Sequence, residues 1–347
     1  MDNIPIYFYI PAKNWSSDMP LDYPRPWSKL CRGAYAWTLQ TYLYLKIAGF
    51  PCKLVKEMPY RGIVISHRDF LSENFKPREE ILLVSIQAER SPHPYAQFHV
   101  VQNPIQSQNN TLKSSPFFSD LEKKHFIRHW PQIGLVPRNL SKTNDVISNI
   151  AYFGRKQHIH SFFKSEEWKI FLNKNNLNFQ MKTNPESWNN YSDIDAVVAV
   201  RQFHYETAKK LGKYPFISKP ATKLYNAWHA GVIPIMGYES AFFSERKTKF
   251  DYIEVFTKDE LKKEILKLKH DSSYRNAILQ AGKARAKEIN SQSITQEWIN
   301  LIENEIKPCY HEWTSKKQLS QKMYILQKDL LRSFNRLTNK IQQVTKY

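Results

Sequence analysis

The chain has 347 residues, of which 41% are hydrophobic and 24% charged, which excludes a disordered composition and is enough for two domains with cores of their own. A formal net charge of +19 attracts polyanions, whether nucleic acid, anionic lipid or phosphorylated substrates, without choosing among them. Cys31, Cys52 and Cys309 are odd in number and lack metal-ligand spacing, so reduced thiols and no metal site are expected.

The first residues, MDNIPIYFYIPAKNW, have neither a basic n-region nor a long apolar h-region, and no apolar run approaches the length of a bilayer span. A cytoplasmic protein is therefore expected, one that meets a membrane at its surface if at all. IPIYFYI (4–10) reads as a first buried strand, and helical spacing over 28–50 stops at Gly49. CKLVKEM (52–58), GIVISH (62–67), ILLVSIQ (81–87) and QFHVVQ (97–102) read as strands, and QSQNNTLKSSP (106–116) as a loop. HFIRHWPQIGLVPR (125–138) reads as a rigid connector, whose His129 and Trp130 either face a cleft or pack against a hinge. NIAYFG (149–154) opens a second unit, followed by a helix over 161–175, the strand DAVVAV (195–200), a helix from Lys219, the strand VIPIM, the strand DYIEV (251–255), and helices over 258–270 and 273–290.

Alternation of strand and helix in both halves predicts an α/β chain of two Rossmann-like lobes with an interlobe cleft. The first lobe spans 1–140 and the second 149–310, joined near 140–148, and ligands belong at the carboxyl ends of the strands. From Lys316 the apolar residues Leu319, Met323, Leu326, Leu330, Phe334, Leu337, Ile341 and Val344 recur at helical spacing. Lys316, Lys317, Lys322, Lys328, Arg332, Arg336, Lys340 and Lys346 stand against the lone acid Asp329. A basic amphipathic helix over 316–347 is expected, either on an anionic membrane or docked on a second subunit or the first lobe.

KPATKLYNAWHAGVIPIMGYES (219–240) gathers cations at a helix start. Ser218 can cap a helix beginning at Lys219–Pro220, whose open N–H groups and dipole would face an anion together with Lys219, Thr222 and Lys223. Arg155 and Arg201 follow the strands at 149–154 and 195–200, and would project toward the same place. Glu239, at a glycine turn, could accept hydrogen bonds from a ribose. Asp193 and Asp195 precede a strand and read as a strand-entry turn rather than a metal site. No G-x-G-x-x-G follows the first strand, which argues against a dehydrogenase.

KPATKLYNAWHAGVIPIMG resembles the donor-binding segment of GT-B glycosyltransferases, with a phosphate-facing helix start, a glycine and a VIPI-like strand. GYESAF, DELKKEILKL and AGKARAKEI are similar to the same half of that fold, so the resemblance covers residues 149–305, while the first half matches in architecture. There is some similarity to bacterial α-1,3-fucosyltransferases. The resemblance implies a hexosyltransferase-type enzyme of bacterial capsule or lipopolysaccharide synthesis. It would use a nucleotide-diphosphate sugar (or CMP-sugar) and a glycan or lipid-linked glycan acceptor, at the inner face of the cytoplasmic membrane, with no metal cofactor. Together the two readings make Arg155, Arg201, Lys219, Thr222, Lys223, Asn226 and Glu239 the expected donor-nucleotide residues. The glutamate pair of many retaining members falls on Ser218 and Asn226 here, which favours inversion. Inversion needs a general base from the first lobe, for which Glu89 is preferred over Asp69, with His67, His93 and His99 weaker. The alternative, a nucleic-acid-binding protein, has the basic surface in its favour but no zinc finger, RNP-like motif or recognition helix, so no nucleic-acid partner is expected.

Overall fold

The computed structural model of the chain describes residues 4–108, 123–139, 146–203 and 216–344, with side chains in the last helix as far as Ser333 except Leu331. The first lobe is built on a sheet of β1 (Ile6–Tyr9), β2 (Lys53–Val55), β3 (Gly62–His67), β4 (Ile81–Ile86), β5 (Phe98–Val101) and β6 (Lys123–Phe126), in the order β2-β1-β3-β4-β5-β6. The second is built on β7 (Asn149–Phe153), β8 (Asn178–Lys182), β9 (Ala196–Ala199), β10 (Ile233–Gly237) and β11 (Ile253–Val255), in the order β11-β10-β9-β7-β8. Every pairing is parallel. In each lobe the first strand lies between the second and third, so the chain reverses its winding at β1/β3 and again at β7/β9. Ligands gather at such switch points, outside the carboxyl ends of the strands. The two Rossmann-like α/β lobes expected from the strand–helix alternation are thus present.

Every residue of β3 and β4 is buried, the signature of a parallel sheet covered on both faces. Helix α1 (Gly33–Ile47) has ten buried residues spread around its circumference, because it is sandwiched between the sheet and a later helix. The remaining helices are α2 (Pro104–Gln108), α3 (Glu166–Lys174), α4 (Thr222–Ala230), α5 (Ser240–Ser244), α6 (Lys258–His270), α7 (Ser272–Glu288), α8 (Ser291–Leu301), α9 (Lys307–Ser315) and α10 (Gln318–Val344), with a π-helical turn over Ile302–Ile306.

Some expectations are corrected. The helix expected over 28–50 is a 3-10 turn, Ser28–Cys31, followed by α1, with extended backbone at Arg32 between them. Helix α2 occupies part of the segment expected as a loop from 106; the remainder of that loop, and most of the join near 140–148, lie outside the described residues. Strands β6 and β8 and the helices over 291–315 were not foreseen. After α7 the chain returns to the first lobe. Trp298 of α8 sets its ring edge-on to Trp37 of α1, with centroids 6.4 Å apart, and α9 packs on β3 and β4.

Within the 125–138 segment Trp130 packs, while His129 stays half-buried and within electrostatic reach of Glu89. Trp130 is buried, stacks on Tyr44 at 4.6 Å and donates its indole N–H to Thr41 Oγ1 at 2.9 Å. Asp195 accepts from Arg138 at 2.7 Å and from the backbone N–H groups of Ser148 and Asn149, so it pins the connector to the second lobe as a strand-entry residue.

Candidate active site in the interlobe cleft

Helix α4 begins at Thr222, not at Lys219. Its N-cap is Ala221, and no side chain caps it. Ser218, expected as the cap, instead offers its carbonyl to Gln102 Nε2 at 2.8 Å. The next carbonyl, that of Lys219, accepts from Asn103 Nδ2 at 3.1 Å. Gln102 and Asn103 follow β5, so the first lobe grips the segment that leads into α4. Trp37 Nε1 holds Gln102 Oε1 at 3.1 Å, and Asn103 Nδ2 also reaches Ser240 Oγ at 2.8 Å. An uncapped first turn leaves backbone N–H groups and the positive end of the helix dipole for an anion. At the other end Gly231 closes the helix at φ +66°, as expected, and Leu224, Ala227 and Trp228 are buried.

Around that helix start the second lobe gathers Arg155, Arg201, Lys219 and Lys223. His158, in the loop after β7, feels all four: partial burial and then Lys219, Arg201, Lys223 and Arg155 lower its pKa. Lys223 lies over the Tyr152 ring at 4.5 Å. Although it keeps some solvent exposure, surrounding protein atoms and then Arg201 press its pKa down to about 7. Among the described residues neither Lys223 nor Arg155 has a carboxylate within ion-pair distance. Gly154 has φ +147°, and a Cβ there would come within 2.8 Å of the Tyr152 hydroxyl and 3.3 Å of Lys223 Nζ, so glycine keeps this floor open.

Glu239 is 1% exposed, and both its oxygens accept from Arg201 Nη1, at 2.6 and 2.5 Å. Burial raises its pKa and Arg201 opposes that rise. The residue expected to meet a ribose therefore holds the arginine. Asn226 is turned away from the cations: its amide accepts from Gln132 N at 3.1 Å and donates to Gln132 Oε1 at 3.2 Å, tying α4 to the connector.

From the first lobe, Glu89 follows β4 and forms an ion pair with Lys219. Asp69 is engaged by Arg90, at 2.7 Å to Nε and 3.1 Å to Nη2, and lies 3.9 Å from His67 Nδ1. His67 is buried and its pKa is lowered to about 4, chiefly by burial. His129 is half-buried, is lowered by the same cause, and sets its ring edge-on to Trp37 at 4.9 Å. His93 and His99 are buried, with His93 N donating to His99 Nε2 at 3.1 Å, and the charges acting on His93 are Arg68, Glu73 and Arg332. Among the described residues three that are not glycine have positive φ, and two flank the site: Ala88 at 50°, before Glu89, and Phe216 at 60°, near Lys219. Such backbone costs about 1–3 kcal/mol and recurs where function demands a fixed geometry. No cluster of three or more metal-ligating side chains is found among the described residues.

Sequence reasoning missed Gln102, Asn103 and His158. Gln102 and Asn103 end a strand in a polar pair, a weak signal; His158 carries none.

No family model matches the chain, and no curated protein is similar to it in sequence. Solved structures similar in fold include HepE of Anabaena in complex with UDP and glucose, at 9% identity over 86% of this chain and 99% of that one, TM-score 0.46. Sucrose-phosphate synthase from Thermosynechococcus elongatus aligns at 11% identity over 82% and 81%, TM-score 0.45. AviGT4, a glycosyltransferase involved in avilamycin A biosynthesis, aligns at 11% over 90% and 98%, TM-score 0.43. At these scores the likeness carries no argument about chemistry, which rests on the cleft itself.

Proposed function

We propose that the chain is a glycosyltransferase of GT-B type that moves a sugar from a nucleoside-diphosphate donor to an acceptor hydroxyl. The observation that supports this is four cations at the head of an uncapped helix and at strand ends, opposite a carboxylate from the other lobe. The diphosphate would sit against Lys219, Lys223, Arg201, Arg155 and the first turn of α4. Glu89, released from Lys219 when the phosphates arrive, would take the proton of the acceptor hydroxyl. The acceptor oxygen then bonds to the anomeric carbon from the face opposite the departing phosphate, and the bond from that carbon to the phosphate oxygen breaks, inverting the centre. Negative charge growing on the leaving diphosphate is met by these side chains and the helix dipole, which can replace a metal ion in that role. A glycan or lipid-linked glycan of bacterial surface polysaccharide as acceptor, and action at the cytoplasmic side of the membrane, follow from the sequence resemblance. The nucleic-acid reading has only net charge behind it.

A thermal-shift screen against UDP, GDP, CMP, ADP and dTDP tests the core of the reading, since a bound nucleotide stabilises by mass action. One of the nucleoside diphosphates should raise the midpoint, and the rise should vanish in Lys223→Ala. No response to any of the five, or an undiminished response in the variant, overturns it.

A further inference from the structure

Helix α10 lies on the first lobe, but with the face opposite to its apolar stripe. Gln321 Nε2 donates to the Glu79 carbonyl at 3.0 Å and the Trp313 carbonyl at 2.9 Å, and the Tyr324 hydroxyl to the Ala96 carbonyl at 3.1 Å. Asp329 accepts from Tyr95 at 2.5 Å and Lys76 at 2.6 Å. Gln321, Tyr324 and Lys328 are buried. On the outer side Leu319, Met323, Leu326 and Leu330 are 70%, 51%, 59% and 63% exposed. These four lie at spacings of four, three and four, one above another along the helix, and in the sequence the spacing continues at Leu337, Ile341 and Val344. Large apolar side chains aligned on an outer face mark an interaction surface.

Charge selects the occupant. Residues 316–347 contain eight Lys or Arg against Asp329 alone, and that acid is already held by Lys76 and Tyr95; Lys328 is buried on the lobe side and Arg332 pairs with Glu73 there, while Lys317 and Lys322 stand exposed. A second copy of the helix would bring like charge to like charge with no acids to pair across the seam, whereas paired helices use complementary flanking charges. An anionic lipid surface accepts both the leucines and the exposed lysines Lys317 and Lys322. We infer that the outer face of α10 seats the protein on an anionic membrane. Because the opposite face is hydrogen-bonded to the first lobe, the helix holds that lobe at a set angle to the bilayer instead of tethering it loosely. Each basic residue near such a surface strengthens binding by roughly fivefold.

The test is flotation of the full chain with vesicles of phosphatidylcholine, with and without a third of phosphatidylglycerol, at low and high salt. Binding should require phosphatidylglycerol and weaken with salt. Changing Leu319, Met323, Leu326 and Leu330 together to Ser should reduce it by about tenfold or more. If that variant fails to fold, Leu326→Glu alone, at a well-exposed position, should give the same loss. Absence of flotation at low salt, or flotation equal in wild type and a folded variant, overturns the inference. So does a wild-type dimer that light scattering shows becoming a monomer in the variant, which assigns the stripe to a second copy. Nucleotide binding measured on the same samples separates this outcome from the fate of the proposed reaction.

Discussion

Glu89 and Lys219, each assigned a part in the reaction from its own lobe, are ion-paired with one another across the cleft. With side chains 47% and 24% exposed, the pair is worth little to stability, about 0–1 kcal/mol. Its interest is competition: in the proposed reaction an anionic phosphate at Lys219 would displace the carboxylate and leave it beside the acceptor. Glu89→Gln should cost about 10²–10⁴ in turnover, the usual worth of a general base. Nucleotide affinity should hold or tighten, because the competing charge is gone. Asp69, with both oxygens held by Arg90, should tolerate Asn with a smaller loss. Steady-state rates and calorimetric affinities of the two variants check this; near wild-type turnover in Glu89→Gln excludes it as the base.

Lys223 predicts a pH dependence. With its pKa lowered to about 7, it is largely neutral in the unliganded protein at mildly alkaline pH. A diphosphate bound as proposed would favour the ammonium and restore the proton. Nucleotide affinity should therefore fall as pH rises above about 7, by up to about tenfold per pH unit, with uptake of up to one proton per nucleotide. The folding contribution runs the other way. Between about 7 and the ordinary lysine range the unfolded chain holds a proton that the folded one lacks, so stability from this group rises with pH. Titration calorimetry in two buffers measures the proton count. Lys223→Arg, which stays charged, should flatten the affinity profile, and an equally flat wild-type profile would contradict the assignment.

The Arg201–Glu239 pair concerns stability as well as binding. Arg201→Ala leaves a carboxylate that is 1% exposed without its guanidinium, and breaking such a pair costs about 3–5 kcal/mol. Burial already raises the Glu239 pKa, and without Arg201 it should rise further. The folded variant then binds a proton that the unfolded chain releases, so its stability should fall as pH rises through the carboxylate range and toward neutrality. Thermal midpoints of Arg201→Ala at mildly acid and neutral pH should differ in that sense. A midpoint equal to wild type at both would show that the pair contributes nothing.

How much of this was legible in the sequence follows from burial. GIVISH, ILLVSIQ, NIAYFG and DAVVAV were readable as strands because they lie inside parallel sheets and are apolar on both faces. Lys123–Phe126 and Asn178–Lys182 form the outer strands β6 and β8, whose polar residues satisfy water on one side, so no apolar run announced them. The cations of the site were legible because the residues after strand ends and at a helix start have a place fixed by local structure. Gln102 and Asn103 were not, because their partners, the carbonyls of Ser218 and Lys219, lie in the other lobe. The same applies to Glu239, whose role beside Arg201 depends on β9 and β10 being neighbours.

The connection between lobes gives the last prediction. Glu245, at the end of α5, is 3% exposed and is reached from several directions. Arg128 of the connector donates through Nε at 3.1 Å, the Tyr225 hydroxyl of α4 at 2.8 Å and Arg285 Nη2 of α7 at 3.2 Å, while Arg128 Nη1 also holds Glu297 of α8 at 2.6 Å. One carboxylate thus satisfies two guanidinium groups and a phenol from separate elements. The Tyr225 pKa is raised, by burial first and then by Glu245, so the phenol remains a donor across the working pH range. Glu245→Ala should destabilise the protein by about 3 kcal/mol, the lower end for a broken buried pair, since it removes the carboxylate that both guanidinium groups share while Arg128 keeps Glu297 and Arg285 keeps Glu288. Glu245→Gln keeps the volume and an acceptor oxygen, and should cost less, about 1–3 kcal/mol. Because the network ties the connector to α4, Glu245→Gln should also weaken nucleotide binding while Lys223 and Arg201 are intact. Urea titrations of both variants, with nucleotide affinity measured on the folded fraction, decide the matter: equal stability of Glu245→Ala and wild type would mean that packing alone joins the lobes.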